Sequence, residues 1–170
     1  DGGCYVGFCA GAYYGCQRVM FDLDGPLEVN EPRSLAFYQG NGVGPVYQGF
    51  EYANENGSRA ATVVRTDTKA TVVVYYNGGC TFEREEKEQE EEEEEENPNV
   101  TITSYYTKIK KTASIEIKCG QGIAILCGFH PEFQPHQMIK SENNIVQAIQ
   151  DEQRVDLMKY LLKPLFENRN

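Results

Sequence analysis

The chain has 170 residues, the size of one domain, and a formal net charge of −10. Most of that charge lies in residues 83–96, where eleven Glu accompany one Arg and one Lys, so the rest of the sequence is nearly neutral. The sequence thus lacks the basic surface typical of nucleic-acid and acidic-membrane binding, and no apolar run approaches the ~20 residues of a membrane span.

The first element is a compact apolar run over Cys4 to Cys9, which predicts a buried strand that turns sharply into a helix. Gly7-Phe8-Cys9-Ala10-Gly11 has the form of a nucleophile elbow, where small residues flank a reactive side chain. On such an elbow the helix N-terminus would activate the Cys9 thiol, and the Ala10 N–H would stabilise an oxyanion. A lone Cys in an apolar strand is more often an inert small hydrophobe.

The middle of the chain predicts a loop, then a β-meander, then an insertion. The glycine-dense residues 37–50 favour an ordered loop, whereas residues 60–64 and 70–76 predict strands closed by Asn77-Gly78-Gly79. The acidic residues 83–98 predict a disordered insertion, because like charges cannot bury enough apolar area to offset the entropy of ordering.

The next strands are predicted over 100–106, 113–119 and 123–129, and the last of them is central because it is apolar on both faces. It ends in His130-Pro131-Glu132. If this strand and the Cys9 strand share one parallel sheet, Cys9 and His130 emerge at the same edge, where ligands bind in open α/β sheets. Glu132 would orient the imidazole, as the third member of a triad does.

The C-terminal residues 141–170 predict a helical segment with Ser141 as a plausible N-cap. Pro164 is expected to bend or end the last helix. An apolar face is predicted from helical spacing, and we interpret it as core packing: Val155, Met158, Leu161, Leu162 and Leu165.

The six Cys lie in strand-like runs of a mid-sized chain, which favours reduced thiols and a cytoplasmic location. Two sequons, at Asn56 and Asn99, argue weakly for the opposite. The chain also begins without Met close to a buried strand, so we expect it to be a fragment of a longer protein.

Two short motifs and four longer segments carry a family resemblance. GFCAG (7–11) and GFHPE (128–132) resemble the class I glutamine amidotransferases, whose triad is Cys, His and Glu. The closer resemblance is to the amidotransferase-like N-terminal domain of eukaryotic, especially fungal, biotin-protein ligases, and it extends over four segments: GGCYVGFCAGAYYG (2–15), FYQGNGVGPVYQGFEYANENGSRAA (37–61), VVVYYNGGCTF (72–82) and GIAILCGFHPEF (122–133).

This resemblance implies a single partial α/β domain over residues 1–170. The implied fold has a flavodoxin-like sheet with helices on both faces, strands that precede this chain and a β-rich insertion. It also implies Cys9, His130 and Glu132 as catalytic residues, with the Ala10 N–H as an oxyanion donor.

The sequence departs from the amidotransferase pattern in three respects. Tyr13 stands where working glutaminases have Gln, which argues against glutamine hydrolysis and makes Tyr13 a candidate substrate-pocket residue. The family's second oxyanion N–H comes from a loop that precedes the strand leading to the elbow, and residues 1–3 are too few to form that loop. The Gly/Arg-rich loop that binds biotin and its adenylate is also absent, so we do not expect these residues to ligate biotin.

Three functional hypotheses follow. The first is a regulatory or accessory domain that is joined to a biotin ligase catalytic domain and binds an unidentified small molecule without a cofactor. The alternative is an active Cys-His-Glu amide or acyl hydrolase of the glutaminase type. A zinc site at His130, Glu132, His136 and one Cys is disfavoured, because it lacks a paired CxxC or helical His spacing, so no metal is predicted.

Overall fold

A computed structural model of the chain describes residues 2–84, 97–137 and 143–167. The expectations for the acidic tract over 85–96 and for Ser141 lie outside these residues. The helices are α1 (Ala10–Gly15), α2 (Asn143–Ala148), α3 (Asp151–Leu162) and α4 (Pro164–Glu167). The strands are β1 (Cys4–Phe8), β2 (Cys16–Phe21), β3 (Val29–Pro32), β4 (Tyr38–Gly44), β5 (Arg59–Arg65), β6 (Thr71–Tyr76), β7 (Thr81–Glu83), β8 (Val100–Tyr106), β9 (Thr112–Cys119) and β10 (Gly122–Cys127).

The strands form two sheets, one with six strands in the order β1-β10-β9-β8-β5-β6 and one with four in the order β3-β2-β4-β7. The β1–β10 and β2–β4 pairs are parallel, and the other neighbouring pairs of these sheets are antiparallel. The mixed α/β class is therefore confirmed. The finer expectation of a flavodoxin-like sheet stays a prediction, since the helices of the described ranges are few and short.

The strand positions are largely confirmed, but β1 is an edge strand in which only Gly7 is buried, whereas a buried strand was expected over Cys4 to Cys9. A second error lies in residues 37–50. The structure has β4 where a loop was expected, because the neighbouring β2 and β7 supply the ladder hydrogen bonds that glycine's low strand propensity cannot predict. Gly42 also suits its place, since a Cβ there would lie 3.1 Å from Cys16 Sγ and 3.2 Å from Tyr13 Cδ1.

Two clusters of buried side chains form the core. The first joins α1 and the four-stranded sheet to one face of the larger sheet, and the second lies on the opposite side, where α3 packs near β6. All six residues of β10 are buried, which confirms its central position. Because its side chains alternate, Leu126 enters the first cluster and Cys127 the second.

The C-terminal helices differ in detail from the predicted apolar face. On α3 the buried residues are Arg154, Leu157 and Leu161, so only Leu161 of the predicted set is fully buried. The helix ends at Leu162 and α4 begins at Pro164, which confirms the expected break. Among the described residues, no helix is long and apolar enough to span a bilayer.

Candidate functional site

The site forms where β1 and β10 end side by side. The two strands pair in parallel with Phe8 opposite Cys127, so Cys9 and the His130 segment leave the sheet at the same edge. The Cys9 N–H donates to the Cys127 carbonyl at 2.8 Å, and the His130 N–H donates to the Tyr75 carbonyl at 2.9 Å. The predicted meeting of the two strand ends is therefore confirmed.

Cys9 occupies a strained backbone conformation. Its φ is 46° and its ψ is −105°, a combination that non-glycine residues rarely adopt. The carbonyl of Cys9 accepts hydrogen bonds from the N–H groups of Ala12 at 3.0 Å and Tyr13 at 3.1 Å, so the turn into α1 begins immediately. Strain of this kind persists only where the surrounding structure enforces it, and it concentrates at functional sites.

The two glycines of the elbow have different roles. A Cβ on Gly7 would clash with the Gly11 carbonyl and lie 2.9 Å from the Ala12 nitrogen, so Gly7 is required for the close approach of β1 and α1. A Cβ on Gly11 would have only ordinary contact with Tyr5 Oη, at 3.7 Å. The tight turn of the elbow therefore requires glycine at position 7 but not at position 11.

The three predicted triad residues are brought together. His130 Nδ1 lies 2.7 Å from Glu132 Oε1, and the Cys9 side chain lies close enough to the ring to raise the pKa of His130. Cys9 Sγ also donates to the Asn77 carbonyl at 3.3 Å. Cys9 thus interacts with the His130 ring and with a backbone acceptor.

The local environment favours the protonated ring of His130. Burial lowers the pKa of His130, but hydrogen bonds and charge interactions with Cys9 and Glu132 outweigh it and raise the pKa to about 9. The ring also packs against two aromatic side chains, Tyr75 at 5.6 Å and Phe133 at 5.0 Å between ring centroids. The imidazole is therefore held in place and carries a positive charge at neutral pH.

The segment that carries Glu132 is tied to α3. Arg154 is buried, and its Nη1 donates to the Pro131 carbonyl at 2.7 Å, while its Nε donates to Asp151 Oδ1 at 2.8 Å. A charged group at this depth needs such partners to offset its desolvation. The C-terminal helix thereby holds the chain between His130 and Glu132.

Residues 77–80, between β6 and β7, form the other wall of the site. Each of their four consecutive carbonyls accepts a side-chain hydrogen bond from the interior: Cys9 Sγ to Asn77 O at 3.3 Å, Tyr13 Oη to Gly78 O at 3.1 Å, Tyr76 Oη to Gly79 O at 2.8 Å, and Tyr106 Oη to Cys80 O at 3.1 Å. The predicted Asn-Gly-Gly turn is thus a fixed part of the site.

A cavity of about 240 Å³ opens beside Cys9. Its walls are mainly apolar and aromatic, and they come from α1, β2, β3 and the segment between β4 and β5: Cys9, Ala10, Tyr13, Tyr14, Val19, Phe21, Val29, Arg33, Phe50, Tyr52 and Gly78. The volume is below the ~300–1,000 Å³ of typical ligand pockets, so it suits a small molecule.

Ala10, the predicted oxyanion donor, and Tyr13, the candidate substrate-pocket residue, both line this cavity. The Ala10 N–H has no hydrogen-bond acceptor within the described ranges, so it is free to meet a ligand. The hydroxyl of Tyr13, in contrast, is engaged by Gly78. Burial raises its pKa far above that of a free tyrosine, so Tyr13 contributes a neutral ring to the wall.

The structure limits the activation of Cys9 that was expected from the helix N-terminus. Helix α1 has six residues, fewer than two turns, so its dipole is weak.

His136 lies in a short 3₁₀ helix over Pro135–Gln137, and no cluster of three or more potential metal ligands occurs among residues 2–84, 97–137 and 143–167. All six cysteines are free thiols.

Several site residues were missed in the sequence analysis. Asn77 was interpreted as part of a turn, and neither Arg33 nor Arg154 drew attention because isolated arginines are usually solvated. The glycine pair after Asn77 is the one local signal that could have indicated a close backbone approach. Arg154 also lay within a run of helical polar residues that gave no sign of its burial.

Known proteins resemble the chain over nearly its whole length. A family model described as biotin-protein ligase, N terminal, matches residues 1–167. The chain is 34% identical over 172 residues to a biotin-protein ligase of Schizosaccharomyces pombe, covering 96% of this chain and 25% of that protein. It is 32% identical over 181 residues to an uncharacterized protein of Chlamydia muridarum, covering 99% of this chain and 66% of that protein. The chain thus spans about a quarter of the first relative and about two thirds of the second.

Proposed function

The chain belongs to the family of biotin-protein ligase N-terminal domains, and from that premise we propose that it is a regulatory or accessory domain of such a ligase and does not itself transfer biotin. Its partner would be a biotin ligase catalytic domain in the same full-length protein. The free thiols suit the reducing cytoplasm, where we place this activity.

The length of the fungal relative supports this assignment. The match leaves about three quarters of the Schizosaccharomyces pombe ligase outside the region shared with this chain. That remainder is long enough to contain a catalytic domain. An N-terminal domain that retains an amidotransferase-like scaffold can then modulate ligation without performing it, because a fold does not dictate its activity.

The observation that carries the proposal is the strained Cys9 beside an apolar cavity. Its positive φ is maintained by hydrogen bonds to β10 and α1, and its thiol faces His130 on one side and the cavity on the other. A purely structural thiol would need neither this strain nor a hydrogen-bonded His-Glu pair. We therefore place the regulatory site at Cys9.

The test compares two cysteine variants of the full-length protein that carries this chain. Cys9→Ser should change the rate of biotin transfer to an acceptor protein at limiting biotin, whereas Cys119→Ser should not. Cys119 is a matched control, because it ends β9 opposite Gly122, at the far edge of the same sheet. Equal transfer by both variants and the unmodified protein would contradict the proposal.

A second candidate, a cysteine-dependent amide or acyl hydrolase, is favoured by the contacts among Cys9, His130 and Glu132. The Cys9 thiolate would attack the carbonyl carbon and the C–N bond would break as the His130 imidazolium protonates the departing amine. Neutral His130 would then take a proton from water, hydroxide would displace the sulfur, and the carboxylic acid would leave. The Ala10 N–H would stabilise the oxyanion.

This candidate predicts a covalent intermediate. Incubation with p-nitrophenyl esters of short acids should release nitrophenol in a burst and give an acyl adduct on Cys9 by mass spectrometry. Cys9→Ser should abolish the adduct, and His130→Gln should slow its formation and hydrolysis. Nitrophenol release that is identical in Cys9→Ser would exclude a role for this thiol.

A further inference from the structure

The chemistry of the Cys9 cavity restricts what it can bind. Its aromatic walls pack on one another, since Phe50 lies 5.3 Å from Phe21 and 5.2 Å from Tyr52 between ring centroids. Together with Val19 and Val29 they form an apolar surface that is best matched by a hydrocarbon or a ring system. A strongly hydrated group that finds no charged partner would lose more solvation here than it regains.

Among the described residues, one charged side chain, Arg33, lines the cavity. Its Nη1 is occupied, with Glu31 Oε2 at 2.9 Å and the Pro32 carbonyl at 3.1 Å, and its guanidinium lies 5.5 Å from the ring centroid of Tyr14. In the part of the chain that the structure describes, Arg33 Nε and Nη2 have no hydrogen-bond partner. These two donors form the planar fork that holds a carboxylate bidentately.

The pairing of Arg33 with Glu31 does not neutralise this fork. Glu31 is well exposed, so solvent screens its charge at the guanidinium. Glu31 also approaches Nη1 and leaves the Nε edge open. A carboxylate at that edge would complete the hydrogen bonding of a partly buried cation.

We propose that the Cys9 cavity binds a small monocarboxylate with an apolar body, whose carbon skeleton packs against Phe21, Phe50 and Tyr52 and whose carboxylate pairs with Arg33. This inference rests on the proposed regulatory function and assigns its ligand class. Biotin has this chemistry, since it joins an uncharged bicyclic ring to an aliphatic acid, and a medium-chain fatty acid shares it.

The same features argue against an amino acid such as glutamine. An α-ammonium group needs a carboxylate or several carbonyl acceptors when it leaves water. None of the described residues that line the cavity is acidic, and the Gly78 carbonyl already accepts from Tyr13. The cavity therefore favours a ligand with a single negative charge and no positive one.

The proposal is tested by calorimetric titration of this 170-residue chain. Four probes are used: biotin, biotinamide, octanoate and octanamide. At least one acid should bind, and its amide should bind about tenfold more weakly, because a charge-assisted bidentate pair is lost. Tighter binding of biotin would identify the ligand as the ligase substrate, and tighter binding of octanoate would identify it as a fatty acid. Equal affinity for acid and amide, or no binding of either acid, would overturn the proposal.

Two arginine variants test the role of Arg33, one at Arg33 itself and one as a control. Arg33→Gln should remove the preference for the acid and leave binding of the amide unchanged. Arg18→Gln should change neither, because Arg18 sits opposite Pro32 on the neighbouring strand but does not line the cavity. An unchanged acid preference in Arg33→Gln would contradict the assignment.

The outcome is separable from that of the proposed function. If no acid binds but Cys9→Ser alters biotin transfer, the ligand class is wrong and the regulatory role stands. If an acid binds with the expected arginine dependence but Cys9→Ser leaves transfer unchanged, the ligand class stands and the regulatory role is wrong.

Discussion

The charge state of His130 sets the chemistry of the site at the scale of single residues. Burial acts to lower its pKa, and the contacts with Cys9 and Glu132 raise it from 6.5 to about 9. Because the folded-state pKa is above the unfolded one, the stabilisation is complete below about pH 6.5 and is lost as the pH rises through about 9. The site is therefore more stable in neutral than in alkaline solution.

We expect NMR titration of the imidazole signals to give a midpoint near 9 for His130. The chain has two histidines, so His136→Gln leaves a single ring to assign. Glu132→Gln should lower the midpoint, because it removes the charge opposite Nδ1. A midpoint near 6.5 in the unmodified chain would show that the contacts with Cys9 and Glu132 do not form in solution.

The elbow gives a matched pair of glycine variants. Gly7→Ala should destabilise the fold by roughly 1–3 kcal/mol, because the new Cβ meets the backbone of α1. Gly11→Ala should be neutral or stabilising by up to ~1 kcal/mol, because it lies inside α1 and its Cβ would make only an ordinary contact with Tyr5 Oη. Urea denaturation measures both, and equal losses would contradict the close approach of β1 and α1.

At the scale of elements, the segment between β6 and β7 depends on side chains from three other elements. Tyr13 of α1, Tyr76 of β6 and Tyr106 of β8 each donate to one of its carbonyls. These hydroxyls are buried neutral donors, so the segment has a defined backbone orientation. It presents the Asn77 carbonyl to Cys9 as a consequence.

Tyr13→Phe tests this arrangement. The variant leaves the Gly78 carbonyl without its donor and should lower the free energy of unfolding by about 1–3 kcal/mol. The rate at which iodoacetamide alkylates Cys9 should also change, because the Asn77 carbonyl is no longer held against the sulfur. Tyr14→Phe is the control, since Tyr14 is exposed and its hydroxyl has no hydrogen bond among the described residues. Identical behaviour of the two variants would refute a positioning role for Tyr13.

At the scale of the whole molecule, α3 connects the second core cluster to the site. Leu157 and Leu161 pack beneath the larger sheet, and Arg154 one turn earlier reaches the Pro131 carbonyl. The helix therefore stabilises the fold and positions the His130 segment through one residue.

Arg154→Met should destabilise the protein by about 2–4 kcal/mol, because the Pro131 carbonyl loses a charge-assisted donor inside the core. It should also move the titration midpoint of His130 toward 6.5, since Glu132 is no longer held near the ring. Lys159→Met on the exposed face of α3 is the control and should leave both measurements unchanged. A stable variant with an unmoved midpoint would show that α3 does not position the site.

The local pattern of the sequence was sufficient for the elbow at Cys9, the central strand β10, His130-Pro131-Glu132 and the resemblance to the ligase N-terminal domain. Each of these depends on residues close together in the chain, so periodicity and turn chemistry expose them. The break at Pro164 was predictable for the same reason, because proline interrupts a helix through its immediate neighbours in the chain. The local pattern did not predict β4, because its glycines favour a loop.

Only the tertiary structure decided which groups complete the site at Cys9 and hold the segment between His130 and Glu132. The carbonyl of Asn77, the fork of Arg33 and the buried guanidinium of Arg154 come from distant parts of the chain, and their environments are set by strand pairing and helix packing. A polar residue has the same local signature whether it is solvated or buried against a partner. Its partner depends on contacts across the sheets, because burial and hydrogen bonding are properties of the folded chain.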